Sequence, residues 1–527
     1  MDNNKETGSY YTPYDLIQFM VKYLKKQKQD FSDVLEPSAG DGRFLSALSE
    51  LCDKITAIEL FQEKVDMIRC RYNQDFIHVE KHDFIQYART SKDKYSLIIG
   101  NPPYINPKVL DKESLKLARD LCESEGLKAS VMQNMWLAFV VGACKMLKPG
   151  GTIFFVLPME FLQVQYAEKL REHLEKKFNT IHIISFNKSI FPDIEQETCL
   201  VYLTNKKEEL PYILYEVYED ATTTEAISRN IIKKNKPLKK WSNAVLRDDD
   251  ILLLQKLAKK YIPIKTMGET APGIVTGGNQ FFILTEEQVE EYECRDCVLP
   301  IVQKNSYISE NTIVVDDSVF ADIKKNKKPC YVLDLMKTEK EKISERLMKY
   351  LEWAGEQEVD GTALKERYKC ANREPWYGVP IVNKGDVIFF KRYHILPRVY
   401  INRADVHTTD AGYHIRLDEK WDRESLVFCF YNSLTLAQCE FQGRYYGGGV
   451  RELVPSEFKE ISVPYRCVEK EDVEKLNQMF INKKSVDEIV AFVNSKTLVH
   501  DMDETRIERI EGIRVQLLGT RQKGNRR

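Results

Sequence analysis

The sequence predicts an α/β domain with a largely parallel sheet, followed by a mixed α+β region and a charged, helical C-terminus. Short apolar runs alternate with amphipathic segments up to about residue 204, and small or polar residues stand where several of these runs end. Beyond about residue 205 this alternation stops, and short strand-like runs, glycines and aromatics follow. We therefore expect three regions, at 1–235, 236–465 and 466–527.

The predicted elements follow this alternation in chain order. Thr12 as N-cap and Pro13 at the first helical position open a helix. The predicted strands are Asp33–Glu36, Ile55–Leu60, Phe76–Val79, Leu97–Gly100, Thr152–Leu157, Ile181–Phe186 and Cys199–Thr204. Helices are predicted from about Arg43, at Gln62–Arg71, around Asn134–Leu147 up to the breaker Lys148-Pro149-Gly150-Gly151, and through about Lys177. The lysine-rich stretch within Tyr215–Leu246 predicts a linker or exposed basic segment, either a solvated loop or a phosphate contact.

Composition narrows the class of protein. At 527 residues, with 43% hydrophobic and 30% charged side chains, the chain is typical of a globular protein of two or three domains. The net charge of −2 argues against indiscriminate coating of nucleic acid but allows local basic patches. We expect no signal peptide, no membrane span and no metal, and we expect a cytoplasmic monomer. The 12 cysteines predict reduced thiols, and Cys294 and Cys297 are interpreted as loop cysteines rather than zinc ligands.

The motif Asn101-Pro102-Pro103-Tyr104 follows the apolar run Leu97–Gly100, at the predicted exit of a strand. Two prolines fix φ twice and remove two N–H donors, so this turn offers carbonyl acceptors. The Asn101 side-chain oxygen beside such a carbonyl can hold both hydrogens of a planar amino group, with the Tyr104 ring next to it. A nucleobase amine or a side-chain amide fits this description, whereas a sugar or a carboxylate does not.

Polar residues also stand at three other predicted strand ends. The small residues of Glu36–Gly42 allow a ligand close to the backbone, although such loops also serve plain strand–helix packing. Glu59 suits ribose hydroxyls, and Asp83-Phe84 suits an adenine amino group and its ring. Because the carboxyl ends of parallel strands meet at one edge, these residues should share a crevice. The loop is not G-x-G-x-x-G, which disfavours a dinucleotide.

In this order the motifs resemble the gamma-class, TaqI-like DNA adenine-N6 methyltransferases. The resemblance covers Gly8-Ser9-Tyr10-Tyr11-Thr12-Pro13, Glu36–Gly42, Glu59, Asp83-Phe84 and Asn101–Tyr104. It implies a class I, Rossmann-like fold and S-adenosylmethionine as cofactor. Tyr11–Pro13 would close over the methionine part, the loop would hold the amino-acid end, Glu59 the ribose, and Asp83 with Phe84 the adenine. The implied cofactor contacts are Tyr11, Thr12, Pro13, Glu36, Ala39, Gly40, Gly42, Glu59, Leu60, Asp83, Phe84 and Asn101.

The resemblance also implies the reaction, which is methyl transfer to the N6 amine of an adenine flipped out of duplex DNA. Asn101 and the Pro102 carbonyl would hold the amine by positioning and electrostatics, so His78 and His82 are interpreted as structural or solvent-facing. Tyr104 would supply one stacking face. Ile190-Phe191-Pro192 resembles the family's later Phe-Pro motif, so Phe191 is the candidate for the other face, with a plain core position as the alternative.

Two glycine-rich segments of the second half, Gly273–Phe282 and Gly443–Leu453, resemble target-recognition segments of the same group more loosely. Trp376-Tyr377 could stack or wedge against DNA. Each basic or aromatic candidate here has an equally good interpretation as surface charge or core. The predicted DNA contacts are Lys391, Arg392, Arg444, Tyr445, Tyr446 and Arg451.

The sequence therefore favours a site-specific adenine-N6 DNA methyltransferase, nucleoid-associated when bound to duplex DNA. It would be an orphan methylase or the modification component of a restriction-modification system with a separately encoded restriction endonuclease. A methyltransferase acting on RNA or on a glutamine amide of a protein, a fusion that also cuts, and a non-catalytic DNA-binding protein remain alternatives. Roughly 300 residues after the catalytic motifs favour a large reader of DNA. Pro192-Asp193 with Glu195 or Glu197 lacks the lysine of a cutting site, and nothing before residue 8 predicts a nuclease.

Overall fold

A mixed sheet of nine strands forms in the first part of the chain in the computed structural model, which describes residues 11–27, 29, 31–191, 197–206, 211–234, 238–308, 311–446 and 449–522. The order across the sheet is β3-β2-β1-β4-β5-β7-β6-β8-β9. The strands from β1 to β5 are parallel, and β7 runs antiparallel between β5 and β6. The strands are β1 (Asp33–Glu36), β2 (Lys54–Glu59), β3 (Ile77–Lys81), β4 (Tyr95–Gly100), β5 (Leu147–Pro158), β6 (Thr180–Phe186), β7 (Thr198–Thr204), β8 (Tyr212–Tyr218) and β9 (Ser228–Lys233).

The order of the strands reverses between β1 and β4, since β2 and β3 lie on one side of β1 while β4 and β5 lie on the other. Open α/β sheets bind ligands at such a switch point, outside the carboxyl ends of the strands. The helices that accompany the sheet are α1 (Tyr14–Lys26), α2 (Arg43–Leu48), α3 (Gln62–Arg71), α4 (Phe84–Thr90), α5 (Lys112–Ser124), α6 (Met135–Met146) and α7 (Glu168–Lys177). The predicted strands and helices of this region are present, with ends shifted by a few residues.

Two local predictions differ from the structure. Thr12 is not the N-cap of the first helix: Pro13 occupies that position with an extended ψ of 143°, and the helix begins at Tyr14. Proline has no N–H to donate, and here its ψ keeps the backbone out of the helix, so the Thr12 hydroxyl serves a different contact. The helix predicted to end at Lys148-Pro149-Gly150-Gly151 ends at Met146, and β5 begins directly at Leu147.

The lysine-rich stretch predicted as a linker begins inside the sheet, in β9. Residues of β8 are almost all buried, and β9 pairs with β8 in antiparallel register as the last strand. Lys234 belongs to the lysine-rich stretch, yet its ammonium donates to the carbonyl oxygens of Glu175 and Phe178, and burial lowers its pKa. The linker prediction is therefore wrong at residues 231–233, which belong to β9, although Lys233 and Lys239 are exposed as expected; residues 235–237 lie outside the described residues.

The chain separates into two compact units. The first is Met1–Ile251 with Arg444–Gly449 and Gly519–Arg527, and the second is Leu252–Gly443 with Val450–Leu518. This division differs from the predicted one, because the helices after residue 466 group with the second unit as far as Leu518 and form no region of their own.

The second unit combines a five-stranded sheet with a four-stranded one, each beside helices. Among the described residues, Leu333 and Phe389 belong to separate apolar clusters of this unit, and both are fully buried. The further strands of the chain are β10 (Ile262–Pro263), β11 (Gly268–Pro272), β12 (Ile283–Leu284), β13 (Val298–Val302), β14 (Val314–Val315), β15 (Tyr331–Leu333), β16 (Glu358–Val359), β17 (Thr362–Ala363), β18 (Val387–Phe390), β19 (Arg392–Tyr393), β20 (Arg398–Asn402), β21 (His407–Thr408), β22 (Gly412–Leu417), β23 (Arg444–Tyr446), β24 (Val450–Glu452) and β25 (Ser462–Val463).

The C-terminal part of the chain is helical, as the sequence predicts. Capping side chains begin several of its helices: Asp422 accepts from Ser425, and Ser485 with Glu488 forms a capping box. The helices are α8 (Asp248–Lys260), α9 (Asn279–Phe282), α10 (Glu286–Glu291), α11 (Asp317–Lys325), α12 (Glu345–Gly355), α13 (Tyr368–Ala371), α14 (Arg423–Phe430), α15 (Ser433–Gln442), α16 (Pro455–Phe458), α17 (Lys470–Ile481), α18 (Val486–Lys496) and α19 (Glu504–Gln522).

Among the described residues, no helix combines the length and apolar character that crossing a bilayer requires. In the same part of the chain, no three His, Cys, Asp or Glu side chains come together as metal ligands. Cys294 and Cys297 are buried in the apolar core of the second unit, beside Val289 and Leu333.

Candidate active site

The turn Asn101–Tyr104 lies at the exit of β4, next to β1. The side-chain nitrogen of Asn101 donates a hydrogen bond to the Thr12 hydroxyl at 3.3 Å. The backbone carbonyl of Asn101 accepts one from the Ser38 hydroxyl at 3.2 Å. Three segments that are far apart in sequence therefore meet at Asn101. Because the amide nitrogen is directed to Thr12, the amide oxygen is directed away from it.

Tyr104 is fixed by its hydroxyl rather than by its ring. The hydroxyl donates to the backbone carbonyl of Val156 in β5 at 3.1 Å. Burial, with smaller contributions from Cys199 and Glu160, raises the pKa of this phenol well above its ordinary value. Tyr104 is thus a neutral hydrogen-bond donor whose aromatic plane is held against the end of the sheet.

The loop after β1 is held by Glu59 from the end of β2. One carboxylate oxygen of Glu59 accepts from the Gly40 N–H at 2.8 Å, and the other accepts from the Phe61 N–H at 3.0 Å. Gly40 and Gly42 have φ of +61° and +78°, a conformation that strains other residues. Each carboxylate oxygen can accept more than one hydrogen bond, so Glu59 can hold the loop and still bind a hydroxyl group.

Glu36 lies at the end of β1 with only 1% of its surface exposed. Its Oε2 atom has no hydrogen-bond partner among the described residues. Burial, together with the carboxylates of Asp41 and Glu59, raises the pKa of Glu36 well above its ordinary value. A buried carboxyl with an unmatched oxygen is costly unless a donor or a cation reaches it.

An apolar rim stands beside this carboxyl. Tyr11, Leu60 and Phe61 are between 42% and 53% exposed. The guanidinium of Arg43 lies 4.9 Å from the centre of the Tyr11 ring and donates to the Thr12 carbonyl at 3.2 Å. Arg43 thereby fixes the segment before α1 against the glycine loop.

The third strand end is more enclosed than the sequence suggests. Asp83 caps α4 by accepting from the Gln86 N–H at 3.0 Å. The Phe84 ring is 3% exposed and packs 4.8 Å from the Phe139 ring of α6. A methyl group on Gly142 would lie 2.9 Å from the same ring, so glycine there makes room for it. Contact of Phe84 with an adenine ring stays a prediction.

Phe191, the candidate for the second stacking face, is 7% exposed and belongs to the apolar core of the first unit. Residues 192–196, which include the rest of the Phe-Pro motif and Glu195, lie outside the described residues. The Gly8-Ser9-Tyr10 part of the first motif also lies outside them. The stacking role of Phe191 stays a prediction.

Two of the predicted DNA contacts, Arg451 and Tyr445, are wrong because both residues are buried. Arg451 is 3% exposed and pairs with Glu440, its Nη2 atom lying 2.8 Å from the carboxylate. Tyr445 is 5% exposed, and its backbone N–H and carbonyl bond to the side-chain amide of Gln163. A charged or aromatic residue enclosed in this way is satisfied inside the protein and offers no surface to a nucleic acid.

The remaining candidates are at least partly accessible. Arg392 is exposed but forms an ion pair with Glu452 at 2.7 Å. Lys391 and Arg444 are half-buried, and Arg444 lies within 3.5 Å of the Gln165 side chain. The side chain of Tyr446 lies outside the described residues, and Trp376 packs against Phe282 in the second unit.

The sequence does not predict the structural roles of Arg171 and Gln163, which hold other segments of the first unit in place. Arg171 is 2% exposed and donates to the carbonyl oxygens of Phe161, Val164 and Lys239. It therefore fixes the segment after β5 that carries Gln163. A single arginine in an amphipathic helix looks like a surface residue, so no signal in the sequence distinguishes it.

The order of the first seven strands, with β7 antiparallel between β5 and β6, defines the class I S-adenosylmethionine-dependent methyltransferase fold. Residues 40–191 match the family described as Eco57I restriction-modification methylase, and residues 238–498 match the C-terminal domain of Type II methyltransferase M.Eco57I. The chain belongs to this restriction-modification methylase family, and its cofactor is S-adenosylmethionine. The family, fold class and cofactor expected from the sequence are confirmed.

Individual relatives agree with this assignment. Type II methyltransferase M.AccI of Acinetobacter calcoaceticus is 21% identical over 529 aligned residues, which cover 93% of each chain. Type II methyltransferase M.HincII of Haemophilus influenzae is 29% identical over 191 residues, or 36% of each chain. The solved structure of the Type IIL restriction-modification enzyme MmeI in complex with DNA aligns with 98% of this chain and 80% of its own, at a TM-score of 0.62 and 13% identity. That likeness extends the shared fold across both units.

Proposed function

We propose that this protein methylates the N6 amine of an adenine flipped out of duplex DNA, as the modification enzyme of a restriction-modification system. One observation carries the proposal: the Asn101 amide is oriented by Thr12 at the exit of β4, beside a proline pair that supplies carbonyl acceptors. This arrangement suits a planar amine with two hydrogens and suits few other groups.

The reaction requires help because the lone pair of an exocyclic amine is delocalised into the ring. The Asn101 side-chain oxygen and the Pro102 carbonyl would accept the two N–H hydrogens and hold them out of the ring plane. The lone pair is then directed at the methyl group. One proton must leave the nitrogen as the new N–C bond forms, and amide oxygens are too weakly basic to keep it, so the proton passes to water. Positioning and preorganised dipoles therefore supply the catalysis.

Tyr104 would bind one face of the flipped base. Its hydroxyl donates to the Val156 carbonyl, and this hydrogen bond would help to hold the ring in place when the base enters. Stacking on an aromatic ring offsets part of the few kcal/mol that unpairing and unstacking the base cost. We retain Phe191 as the candidate for the opposite face.

The environment of Glu36 fits the chemistry of S-adenosylmethionine. S-adenosylmethionine brings a positively charged sulfur with a transferable methyl group. Its amino-acid end also carries a protonated amine, which is the kind of donor that a buried, unmatched carboxyl oxygen requires. We assign the amino-acid end to the Glu36–Gly42 loop, under the Tyr11–Pro13 segment. The positive φ of Gly40 and Gly42 lets the backbone approach a ligand closely there.

The other cofactor contacts follow the strand ends. Glu59 would bind ribose hydroxyls with the acceptor capacity that Gly40 and Phe61 leave, since each of its oxygens accepts one backbone N–H. Leu60 and the rim around it would cover the sugar and base. Asp83, with one oxygen used as a helix cap, would accept from the adenine amino group with the other.

Duplex DNA is favoured as the substrate over RNA or a protein amide. The second unit, from Leu252 to Leu518 apart from Arg444–Gly449, is far larger than a small amide substrate requires. Its sequence matches the C-terminal domain of a Type II methyltransferase, and M.AccI aligns across both units. Reading a site on duplex DNA requires a surface of this size, because specific protein–DNA interfaces bury on the order of 1,000–2,500 Å² of protein.

The proposal is tested by supplying S-adenosylmethionine with a labelled methyl group to the purified protein together with mixed-sequence duplex DNA, RNA or protein extract. We expect label in DNA only, at adenine N6 after digestion to nucleosides. Asn101→Ala should abolish transfer while cofactor binding stays within about threefold, because Asn101 is only one of many implied cofactor contacts, whereas its side-chain oxygen is one of the two acceptors for the amine.

Asn73→Ala is the matched control, since Asn73 is exposed in the connection between α3 and β3. It should transfer methyl groups at the wild-type rate. Label in RNA or protein with none in DNA would overturn the proposal, as would normal transfer by Asn101→Ala.

A further inference from the structure

The most exposed large aromatic side chain among the described residues is Tyr368, at 83%. It begins the short helix α13 in the second unit and is flanked by Arg367 and Lys369. Burying an exposed tyrosine is favourable, so such a residue on a stable turn suggests that a partner covers it. None of the DNA contacts expected from the sequence lies in this segment.

We propose that the turn Arg367–Arg373 is a DNA-contact element of this protein, in which Tyr368 lies against the duplex and Lys369 contacts a phosphate. This inference rests on the proposed function and identifies a surface that would bind the DNA substrate. Three properties of the turn support it: its exposure, its charge and the way it is held.

Charge favours a polyanion as the partner. Between residues 365 and 374 four basic side chains stand against two acidic ones. Lys365 is paired with Glu356 at 2.5 Å, and Arg367 with Asp360 at 3.2 Å. Lys369 is exposed and has no ion pair among the described residues. A flexible, hydrated ammonium group of this kind serves phosphate oxygens, whereas a peptide partner would offer no regular array of charge.

The turn is not a loose loop, because two of its arginines hold it to the neighbouring glycine-rich segment. Arg373 donates to the carbonyl oxygens of Val275 and Thr276, at 2.9 and 2.7 Å. Arg367 donates to the carbonyl of Gly277 at 3.0 Å. Three consecutive carbonyls are thereby bound by the two arginines that flank Tyr368, so these guanidinium groups position the turn.

The glycines of this segment are required by the same contact. Gly277 has a φ of +85°, and a methyl group there would lie 3.1 Å from the Lys369 Cβ and 3.4 Å from the Cys370 Sγ. A methyl group on Gly278 would lie 2.7 Å from Leu364. The backbone of 277–278 therefore presses directly against the turn that presents Tyr368 and Lys369, and the two form one rigid element.

A rigid turn that presents an aromatic ring beside a lysine ammonium matches the surface of duplex DNA. The ring can pack on sugars or wedge at a base step while the ammonium neutralises a neighbouring phosphate. Because the turn is held before binding, little conformational entropy is lost when DNA covers it.

The test measures the affinity of the full-length protein for a fluorescent, mixed-sequence duplex across a series of salt concentrations. Tyr368→Ala should weaken binding about tenfold, and Tyr368→Phe should bind nearly as well as wild type, because the ring rather than the hydroxyl makes the contact. Lys369→Ala should lower the slope of log affinity against log salt by about one, and Lys369→Arg should restore it.

Lys259→Ala is the matched control, since Lys259 is an exposed lysine of α8 in the same unit. It should leave affinity and salt slope unchanged. All variants should unfold at the wild-type temperature, because the substituted side chains are exposed.

The outcomes separate the two proposals. If the wild-type protein neither binds nor methylates DNA, the proposed function fails and this inference falls with it. If the wild type methylates DNA while Tyr368→Ala and Lys369→Ala bind like Lys259→Ala, the proposed function stands and the contact element is refuted.

Discussion

Two glycine-rich segments that look alike in sequence have opposite environments in the structure. In Glu36–Gly42, the glycines adopt positive φ beside a buried carboxyl whose Oε2 has no partner among the described residues. In Gly443–Arg451, polar groups are matched inside the protein: Arg451 pairs with Glu440, and the Tyr445 backbone bonds to Gln163. The first segment leaves a buried acceptor for the cofactor contact proposed above, whereas the polar groups of the second segment are used within the protein.

Glycine beside polar residues thus predicts a close backbone approach without saying what approaches. At Gly443 the approaching group is the protein itself, because a methyl group there would lie 2.6 Å from the Arg451 Cδ. At Gly40 the nearest side chain is Tyr11, whose ring a methyl group would only touch at 3.8 Å. Gly40 therefore has space beside its backbone that Gly443 lacks.

The largest effect should come from breaking the buried ion pair of the second segment. Arg451→Ala removes the guanidinium that pairs with the Glu440 carboxylate, which is only 4% exposed, so the free energy of unfolding should fall by about 3–5 kcal/mol. Urea denaturation measures this loss. The double variant Arg451→Met with Glu440→Leu should recover most of it, because no charge remains buried. A stable Arg451→Ala protein with weakened DNA binding would restore Arg451 as a DNA contact.

A smaller effect is expected at the first segment, on binding instead of stability. Glu36→Gln should weaken S-adenosylmethionine binding by about ten- to a hundredfold, as a charge-assisted hydrogen bond worth roughly 1.5–3 kcal/mol is lost. Calorimetric titration of the cofactor measures it. Asp53→Asn, an exposed acidic residue before β2, is the control and should bind normally. Unchanged affinity in Glu36→Gln would remove Glu36 from the cofactor site.

Gln163 tests whether the second segment is held as the structure indicates. Its amide oxygen accepts from the Tyr445 N–H at 3.1 Å, and its amide nitrogen donates to the Tyr445 carbonyl. Gln163→Ala removes both of these hydrogen bonds from the buried Tyr445 backbone and should cost about 1–3 kcal/mol of unfolding free energy. Gln165→Ala, two residues further along, is the comparison and should cost less than about 0.5 kcal/mol. Equal losses in the two variants would contradict the assigned role of Gln163.

The smallest effect concerns pH. The pKa of Glu36 is raised on folding, so the folded protein binds this proton more tightly than the unfolded chain does. Stability without cofactor should therefore fall as pH rises from the ordinary glutamate value of 4.5 toward the raised folded value. Glu36→Gln should lack this contribution, so its advantage over wild type should grow with pH. Urea unfolding of both proteins at several pH values checks the trend, and parallel curves would contradict it.

The catalytic half could be predicted well because its signals are local. Each parallel strand is a short apolar run, and residues that follow it must lie at the carboxyl edge of the sheet. Asn101, Glu36 and Glu59 are recognisable from the sequence for this reason. Burial limits the residue types that can occupy these strand ends.

The second unit could not be predicted in the same way. Arg451 and Tyr368 are a basic and an aromatic residue, and each stands in a region that contains glycine. Arg451 is only 3% exposed, whereas Tyr368 is 83% exposed. Exposure there depends on which other residues contact the side chain or backbone, such as Glu440 on the Arg451 guanidinium or Arg373 on the carbonyls of Val275 and Thr276. Contacts of this kind leave no periodic pattern.

Local sequence signals were enough to establish the succession of strands and helices in the first half, the motif that suits a planar amine and the family that uses it. Tertiary contacts were needed to show that Thr12 orients Asn101, that Glu36 holds an oxygen unmatched among the described residues, and that Arg451 and Tyr445 are internal. The cause is range. Strand and turn propensities act between neighbours along the chain, whereas hydrogen-bond partners and burial are set by residues that often stand hundreds of positions apart.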